Sequence, residues 1–361
     1  DIDLILGWIK ECTIDPSEEL TDAQQAYRSK WWLTALKGSQ KEAVAKELEE
    51  VSKVYTPEVD HPGMTKWSSG LVGSTSPLSS DEILGMSISS LIEYFLTFKP
   101  KENDFFGPST SGLEDATIGS IEINPEHFST DCFEVTSASR QFQHVWMRGL
   151  ANAWRDKKKV FEIDEVLQVV IQIFANSDFW VSYSEKSNHP KWFVMNLLSF
   201  LEAGLRDDSQ AFDPKHLPAV KGMLLQVFAH QDSDVYEYED LTMTAVNSAS
   251  GKVYICLLQY SLRLARIEKK ESDRWDPEIK EVIQERLSSN SSDQLLHLVL
   301  GWFLPQIMFL DSNWLKVNVG LVFPGTHPVN YKAGAIGYFS FNNQLYSDVF
   351  KVVNKARVFE F

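Results

Sequence analysis

Apolar residues recur along this chain at three- and four-residue intervals, the period of a helix with one buried face. The longest run is 239–268, EDLTMTAVNSASGKVYICLLQYSLRLARIE. Val253, Leu257, Tyr260 and Leu264 share one face of it. Ile255, Cys256, Leu258 and Leu262 widen that face until the helix is apolar nearly all round, as a helix enclosed by others must be. Asp240 stands at the N-cap position ahead of Leu241. Gly251 has no side chain to hold a neighbouring helix away from its backbone.

The same period predicts three helices in residues 1–55. Leu4, Ile5, Trp8 and Ile9 share the first face; Thr21-Asp22 opens the second helix; the third runs from about Lys41 to Tyr55. Pro57, Pro62, Gly63, Gly70, Gly73 and Pro77 break 56–79 into a long loop or boundary. Ser79-Ser80-Asp81 caps the next helix and Met86-Ser87 starts another. Residues 99–112, KPKENDFFGPSTSG, read as a further loop. Helices are expected at about 112–123, 138–155, 163–176, 190–206, 216–230, 277–287 and 292–310. Pro305 sits inside the last, where its ring would clash with the carbonyl of Gly301, so a kink is expected there. Phe179-Trp180-Val181 and Tyr183 lead into a polar turn, SEKSNHP. Strand alternation is scarce; 335–341, AIGYFSF, is the best strand candidate, with a loop or helix edge equally compatible.

Helices joined by short turns over most of the chain imply stacked helix pairs. No strict tetratricopeptide or ankyrin period is present. The expected fold is all-α, an irregular HEAT/TPR-like α-solenoid, with 1–78 an N-terminal helical segment and long loop and 79–361 the solenoid.

Composition adds limits. With 361 residues, 43% hydrophobic and 12% aromatic, the chain can bury a large core. A net charge of −16 opposes general binding to nucleic-acid phosphates or anionic lipid, so neither nucleic acid nor membrane is expected as a partner. Lys157-Lys158-Lys159, the obvious basic run, reads as a solvated helix end. Cys12, Cys132 and Cys256 are widely spaced without a CxxC, which suggests a reducing compartment and a cytoplasmic location. No apolar run reaches the ~18–20 residues of a membrane span. Asp1 stands in place of an initiator Met, and acids occupy the region where a signal peptide has bases, so the chain reads as an interior stretch of a longer protein.

Little catalytic chemistry is written in the sequence. Walker A, GxGxxG, GxSxG and HExxH patterns are absent, and the eight histidines lack metal-ligand spacing. His144 and His297, on apolar helices, read as packing residues. Asp207-Asp208 reads as a solvated helix end, with no second acidic motif to make a diphosphate site. No catalytic residue, cofactor or metal is assigned, and this chain is not expected to be an enzyme. Asp232, Asp234, Glu237, Glu239 and Asp240, interleaved with Tyr236 and Tyr238, form either a solvated loop or a docking surface for a basic partner. Phe105-Phe106 and Phe179-Trp180 are either core anchors or interaction loops beside polar turns. The candidate partner contacts are therefore Phe105, Phe106, Trp180, Tyr183, Asp232, Asp234 and Glu237.

Four stretches carry a family resemblance: SPLSSDEILGMSISSLIEYFLTFKP (76–100) with GLEDATIGSIEINPEHF (112–128); VWMRGLANAW (145–154); EDLTMTAVNSASGKVYICLLQYSLRLAR (239–266) with WDPEIKEVIQERL (275–287); and LGWFLPQIMFLDSNWLKVNVGLVFP (300–324). In order and spacing they resemble the C-terminal helical region of bacterial antiphage NTPases of the STAND class, and of related defence proteins with sirtuin-like or nuclease effectors. The family commonly has Asn-Ser-x-Arg-Gly in the third stretch; Asn247, Ser248 and Gly251 match, and Ser250 stands in place of the Arg. The resemblance implies a sensor that binds a phage structural or packaging protein and relays the event to an N-terminal NTPase and effector that this chain does not contain. It also allows self-association through the full-length protein. The alternatives are a helical scaffold or oligomerisation module and, from a different class, an α-helical enzyme.

Overall fold

The computed structural model describes residues 2–11, 21–59, 75–101, 107–157, 159–184, 188–231, 240–268, 270, 274–289, 293–342 and 344–355. Among them the chain is all-α: α1 (Ile2–Glu11), α2 (Asp22–Leu36), α3 (Glu42–Val54), α4 (Ser80–Gly85), α5 (Ile88–Thr97), α6 (Thr110–Ile123), α7 (Pro125–Ser129), α8 (Arg140–Arg155), α9 (Ile163–Ala175), α10 (Ser177–Ser184), α11 (Asn188–Arg206), α12 (Leu217–Ala229), α13 (Leu241–Asn247), α14 (Ala249–Ile267), α15 (Pro277–Ser288), α16 (Gln294–Trp302), α17 (Leu304–Leu310), α18 (Ser312–Val322), α19 (Pro328–Phe341) and α20 (Ser347–Lys355). None of these helices is long and apolar enough to cross a membrane.

Contacts divide the chain into two compact units: Asp1–Thr75 with Lys99–Gly112, and Ser76–Phe98 with Leu113–Phe361. The first boundary falls three residues before the expected 78/79, and 99–112 goes with the first unit. Thr75 draws it there: its carbonyl accepts from Ser109 N at 2.9 Å, beside a bridge to Pro108. In the first unit α1, α2 and α3 close over Leu6, Leu33 and Val44. Thr21 and Gln24 form a capping box that starts α2. Lys30 is buried, and its ammonium donates to the carbonyls of Tyr55 (2.9 Å) and Thr56 (3.3 Å) at the end of α3.

The second unit is an array of helix pairs around one core. One row holds α5, the 3-10 turn Cys132–Ser137, α9, α12, α15 and α18; the other holds α8, α11, α14, α16 and α19, and each helix packs on its row neighbours. A repeated polar contact ties the first row together. Lys221 of α12 reaches Asp276, the N-cap of α15, at 3.2 Å; Lys280 of α15 reaches Asp311, the N-cap of α18, at 2.5 Å. Each aspartate so answers two needs, the free N–H groups of its own helix and the ammonium of the one before.

Three expectations are corrected. The 239–268 helix is broken: Ser248 takes extended φ/ψ, its side chain accepts from Gly251 N at 3.1 Å, and α14 restarts there. The close approach foreseen at Gly251 is real, but it comes from α13: a Cβ on Gly251 would lie 2.3 Å from the carbonyl oxygen of Ala245. The 292–310 helix does not kink around Pro305; it ends at Trp302, turns at Phe303, and restarts with Pro305 in the first turn of α17, where no N–H is needed. The 335–341 stretch, the best strand candidate with a loop or helix edge equally compatible, is helical and lies in α19. Its glycines, Gly334 and Gly337, sit against Gly301 and Leu298 of α16, and a strand would not bring both to one neighbour.

Candidate functional site

The turns that join the first row of helices to the second share one edge of this unit, and α10 lies there with His230 and Gln231, which precede the acid-rich stretch. The 178–190 stretch is not a projecting turn at its start: residues 177–184 form α10. Trp180 is half-buried; its indole N–H donates to the carbonyl of Phe174 at 3.0 Å, and its ring stacks on His230 at 3.8 Å with an interplanar angle of 10°. Tyr183 is buried, with its hydroxyl accepting from Gln231 Nε2 at 2.8 Å, and this corrects its reading as an exposed anchor. It is a packing residue because the Phe174–Phe179–Phe193 cluster draws α10 inward.

His230 and Gln231 are the last residues before the acidic segment, so α10 grips the segment's base. The far end is anchored as well. Asp240 caps α13, accepting from Thr242 N (2.9 Å) and Met243 N (3.1 Å), and the Thr242 hydroxyl together with these amides holds its carboxyl below the usual carboxylate range. Asp232, Asp234 and Glu237 themselves lie outside the described residues, as do Phe105 and Phe106.

A polar network that the sequence did not announce locks this edge. The side-chain carbonyl of Gln231 accepts from Ser250 Oγ at 2.9 Å. Tyr254 donates its hydroxyl to Asp293, and Arg286 Nε lies 3.3 Å from both the Tyr254 hydroxyl and the Asp293 carboxylate. Burial, then the charge of Asp293, raises the Tyr254 phenol far above its ordinary range, so it stays a neutral donor. Asp293 also caps α16, accepting from Leu296 N at 3.0 Å. Only the N-cap position of Asp293 ahead of an apolar run was open to reading; Tyr254 lies 39 residues away and Arg286 on a separate helix.

Beside the network is a cleft of about 520 Å³, lined by Asp240, Leu241, Thr242, Gln294, Val329 and Lys332 among others. Its lining is mixed and shows no nucleophile poised on a base. A His–Asp pair of catalytic appearance lies elsewhere: His216 Nε2 is 2.9 Å from Asp164 Oδ1, and His216 Nδ1 is buried without a hydrogen bond among the described residues. No hydroxyl or thiol is bonded to His216 among the described residues, so the pair lacks the nucleophile of a triad. No group of three or more His, Cys, Asp or Glu able to hold a metal occurs among them either.

The remaining singled-out residues are structural. His144 is buried, with Nδ1 3.3 Å from Asn196 Nδ2; burial, then Arg148 and His189, push its pKa down to about 4. His297 Nδ1 lies 2.9 Å from the carbonyl of Val322 and is likewise depressed by burial. Asp208 is exposed just past the end of α11, the solvated helix end expected, and there it lies 2.8 Å from both Arg263 and Arg266. Cys132 and Cys256 are buried free thiols; burial pushes the first up to about 12 and the second well above its ordinary value, so both rest as inert thiols.

Compared with family models, with curated proteins and with solved structures, the chain matches none.

Proposed function

We propose that this chain recognises a protein, as the sensor portion of an antiphage NTPase-like defence protein, and that its target is a phage structural or packaging protein. The observation that supports the reading is that the described residues on either side of the acid-rich 232–239 stretch are packed: His230 and Gln231 against Trp180 and Tyr183 of α10, and Asp240 as the cap of α13. The acid-rich sequence of 232–240 fits a basic face on the target. In this reading the chain carries no chemistry of its own; activation passes to an NTPase and effector elsewhere in the full protein, in the cytoplasm. The family resemblance of 76–324 supports the same assignment.

The test is direct binding of purified phage packaging and structural proteins to the chain by biolayer interferometry. One that binds, and binds more slowly when Asp232, Asp234 and Glu237 are neutralised, supports the reading; a panel without a binder removes it. A second reading, self-assembly as a scaffold, draws on Leu4, Trp8 and Trp32, which are exposed on the first unit. A discrete oligomer in light scattering without any added protein would favour it.

A further inference from the structure

α15 is attached to the array differently from the helices around it. Ile279, Ile283 and Leu287 recur at intervals of four, one narrow ridge, and they are the three buried residues of its twelve. Ten of nineteen residues are buried in α14, and seven of nine in α16. α16 meets α19 so closely that Gly301 and Gly337 leave no room for a Cβ. α15 has no glycine, and among its neighbours it meets α18 most closely.

Charge supplies much of what holds it. At its start, Lys221 of α12 lies 3.2 Å from Asp276 and 2.9 Å from Glu278. One turn on, Lys280 reaches Asp311 of α18 at 2.5 Å. Near its end, Arg286 lies 3.3 Å from Asp293, the cap of α16, and 3.3 Å from the Tyr254 hydroxyl of α14. The same guanidinium donates to the carbonyl of Gln231 at 3.5 Å. Charged contacts therefore tie α15 to four helices, at both of its ends. Lys221 and Lys280 are 27% and 36% exposed, so dissolved ions reach and screen these pairs.

We propose that α15 is a salt-latched element of the fold: rising ionic strength loosens its charged ties, and α15 opens as a unit ahead of α14 and α16. Local opening selects the parts of a fold where apolar burial is thin. Opening frees Arg286 from Tyr254, Asp293 and Gln231, so the latch to α18 and the network on the turn edge release together. The rest of the array answers salt in the other direction. In a chain of net charge −16, dissolved ions relieve the general repulsion among acids. Faster exchange confined to α15 at high salt is therefore not a general weakening of the fold. The latch needs no partner and is independent of the docking reading for the turn edge.

The test is native-state hydrogen exchange of the full chain, read by mass spectrometry on fragments from α14, α15 and α16, at about 50 mM and about 500 mM sodium chloride. Relative to their unfolded rates, the α15 amides should exchange at least about tenfold faster than those of α14 and α16. At the higher salt they should gain at least about a further threefold, while α14 and α16 stay within about twofold. Lys221→Met with Lys280→Met cuts the ties to α12 and α18 and leaves the caps Asp276 and Asp311 in place. This variant should show the fast α15 exchange already at low salt and lose most of the response to salt. Lys332→Met with Lys355→Met, at exposed lysines elsewhere, should leave α15 within about twofold of the native chain. Equal exchange in all three helices, an α15 rate indifferent to salt, or a latch variant that exchanges like the native chain would each overturn the proposal. The salt series uses the native chain, so it decides the matter even where the latch variant folds poorly.

Discussion

A Cβ placed on Gly301 of α16 would stand 2.1 Å from the carbonyl oxygen of Gly334 on α19. The relation recurs on the neighbouring turn, where a Cβ on Gly337 would stand 1.9 Å from the carbonyl of Leu298. The obstacle is backbone on both sides, so no side-chain rotation relieves it. Gly301→Leu must push α16 and α19 apart, and we expect a loss of at least about 3 kcal/mol, the upper part of the range for overpacked cores. Gly222→Ala on α12 is the control: nothing lies within 4 Å, and a helix-favouring side chain there should stabilise by up to ~1 kcal/mol. Urea unfolding reads both; equal midpoints for the two variants would show that the helices do not meet as described.

Local chemistry explains what the sequence let one foresee. Thr21, Ser79, Ser87 and Asp240 act within three residues of themselves, and each caps the helix it was expected to begin. The misread stretches depend on distant partners. Nothing near Ala335 or Ile336 says that Gly334 must meet α16, so AIGYFSF stayed open between a strand, a loop and a helix edge. Tyr183 looked like an exposed anchor because Gln231, its partner, lies 48 residues on. Arg286, Tyr254 and Asp293 carried no signal as a group, since only folding brings α14, α15 and α16 together.

His144 makes stability depend on pH. Its folded pKa of about 4 lies below the ~6.5 of an unfolded histidine, so between those values the unfolded chain binds the extra proton. Stability should therefore fall as pH drops through that window, by up to about 3 kcal/mol for this residue, and its share should level off below about pH 4. His144→Gln should remove this part of the slope. Urea midpoints measured across the window check it; an unchanged slope in the variant would mean that His144 protonates freely in the fold.

The network on the turn edge should behave as one unit. Asp293→Ala removes the cap of α16, the acceptor of Tyr254 and the counter-charge of Arg286, so a loss of about 3 kcal/mol is expected. Tyr254→Phe alone should cost about 1 kcal/mol. The double variant should cost less than the sum, because the phenol's partner is already gone. Additive costs in a double-mutant cycle would show that the two side chains do not interact.

The acidic segment and α10 should affect a bound partner through different rate constants. Charge acts over a Debye length of about 8 Å at physiological salt, so Asp232, Asp234 and Glu237 would act mostly before contact. Replacing them with Asn and Gln should slow association, flatten its dependence on salt and leave dissociation nearly unchanged. Trp180→Ala should act otherwise: without the His230 stack and the bond to Phe174 the base of the segment loosens, and dissociation speeds up in a chain that also melts earlier. Phe105→Ala should speed dissociation without altering the α10 packing if the 99–112 stretch takes part. Stopped-flow association and dissociation traces at several salt concentrations separate these effects. Equal association rates for the native and neutralised segments would take Asp232, Asp234 and Glu237 out of the interface.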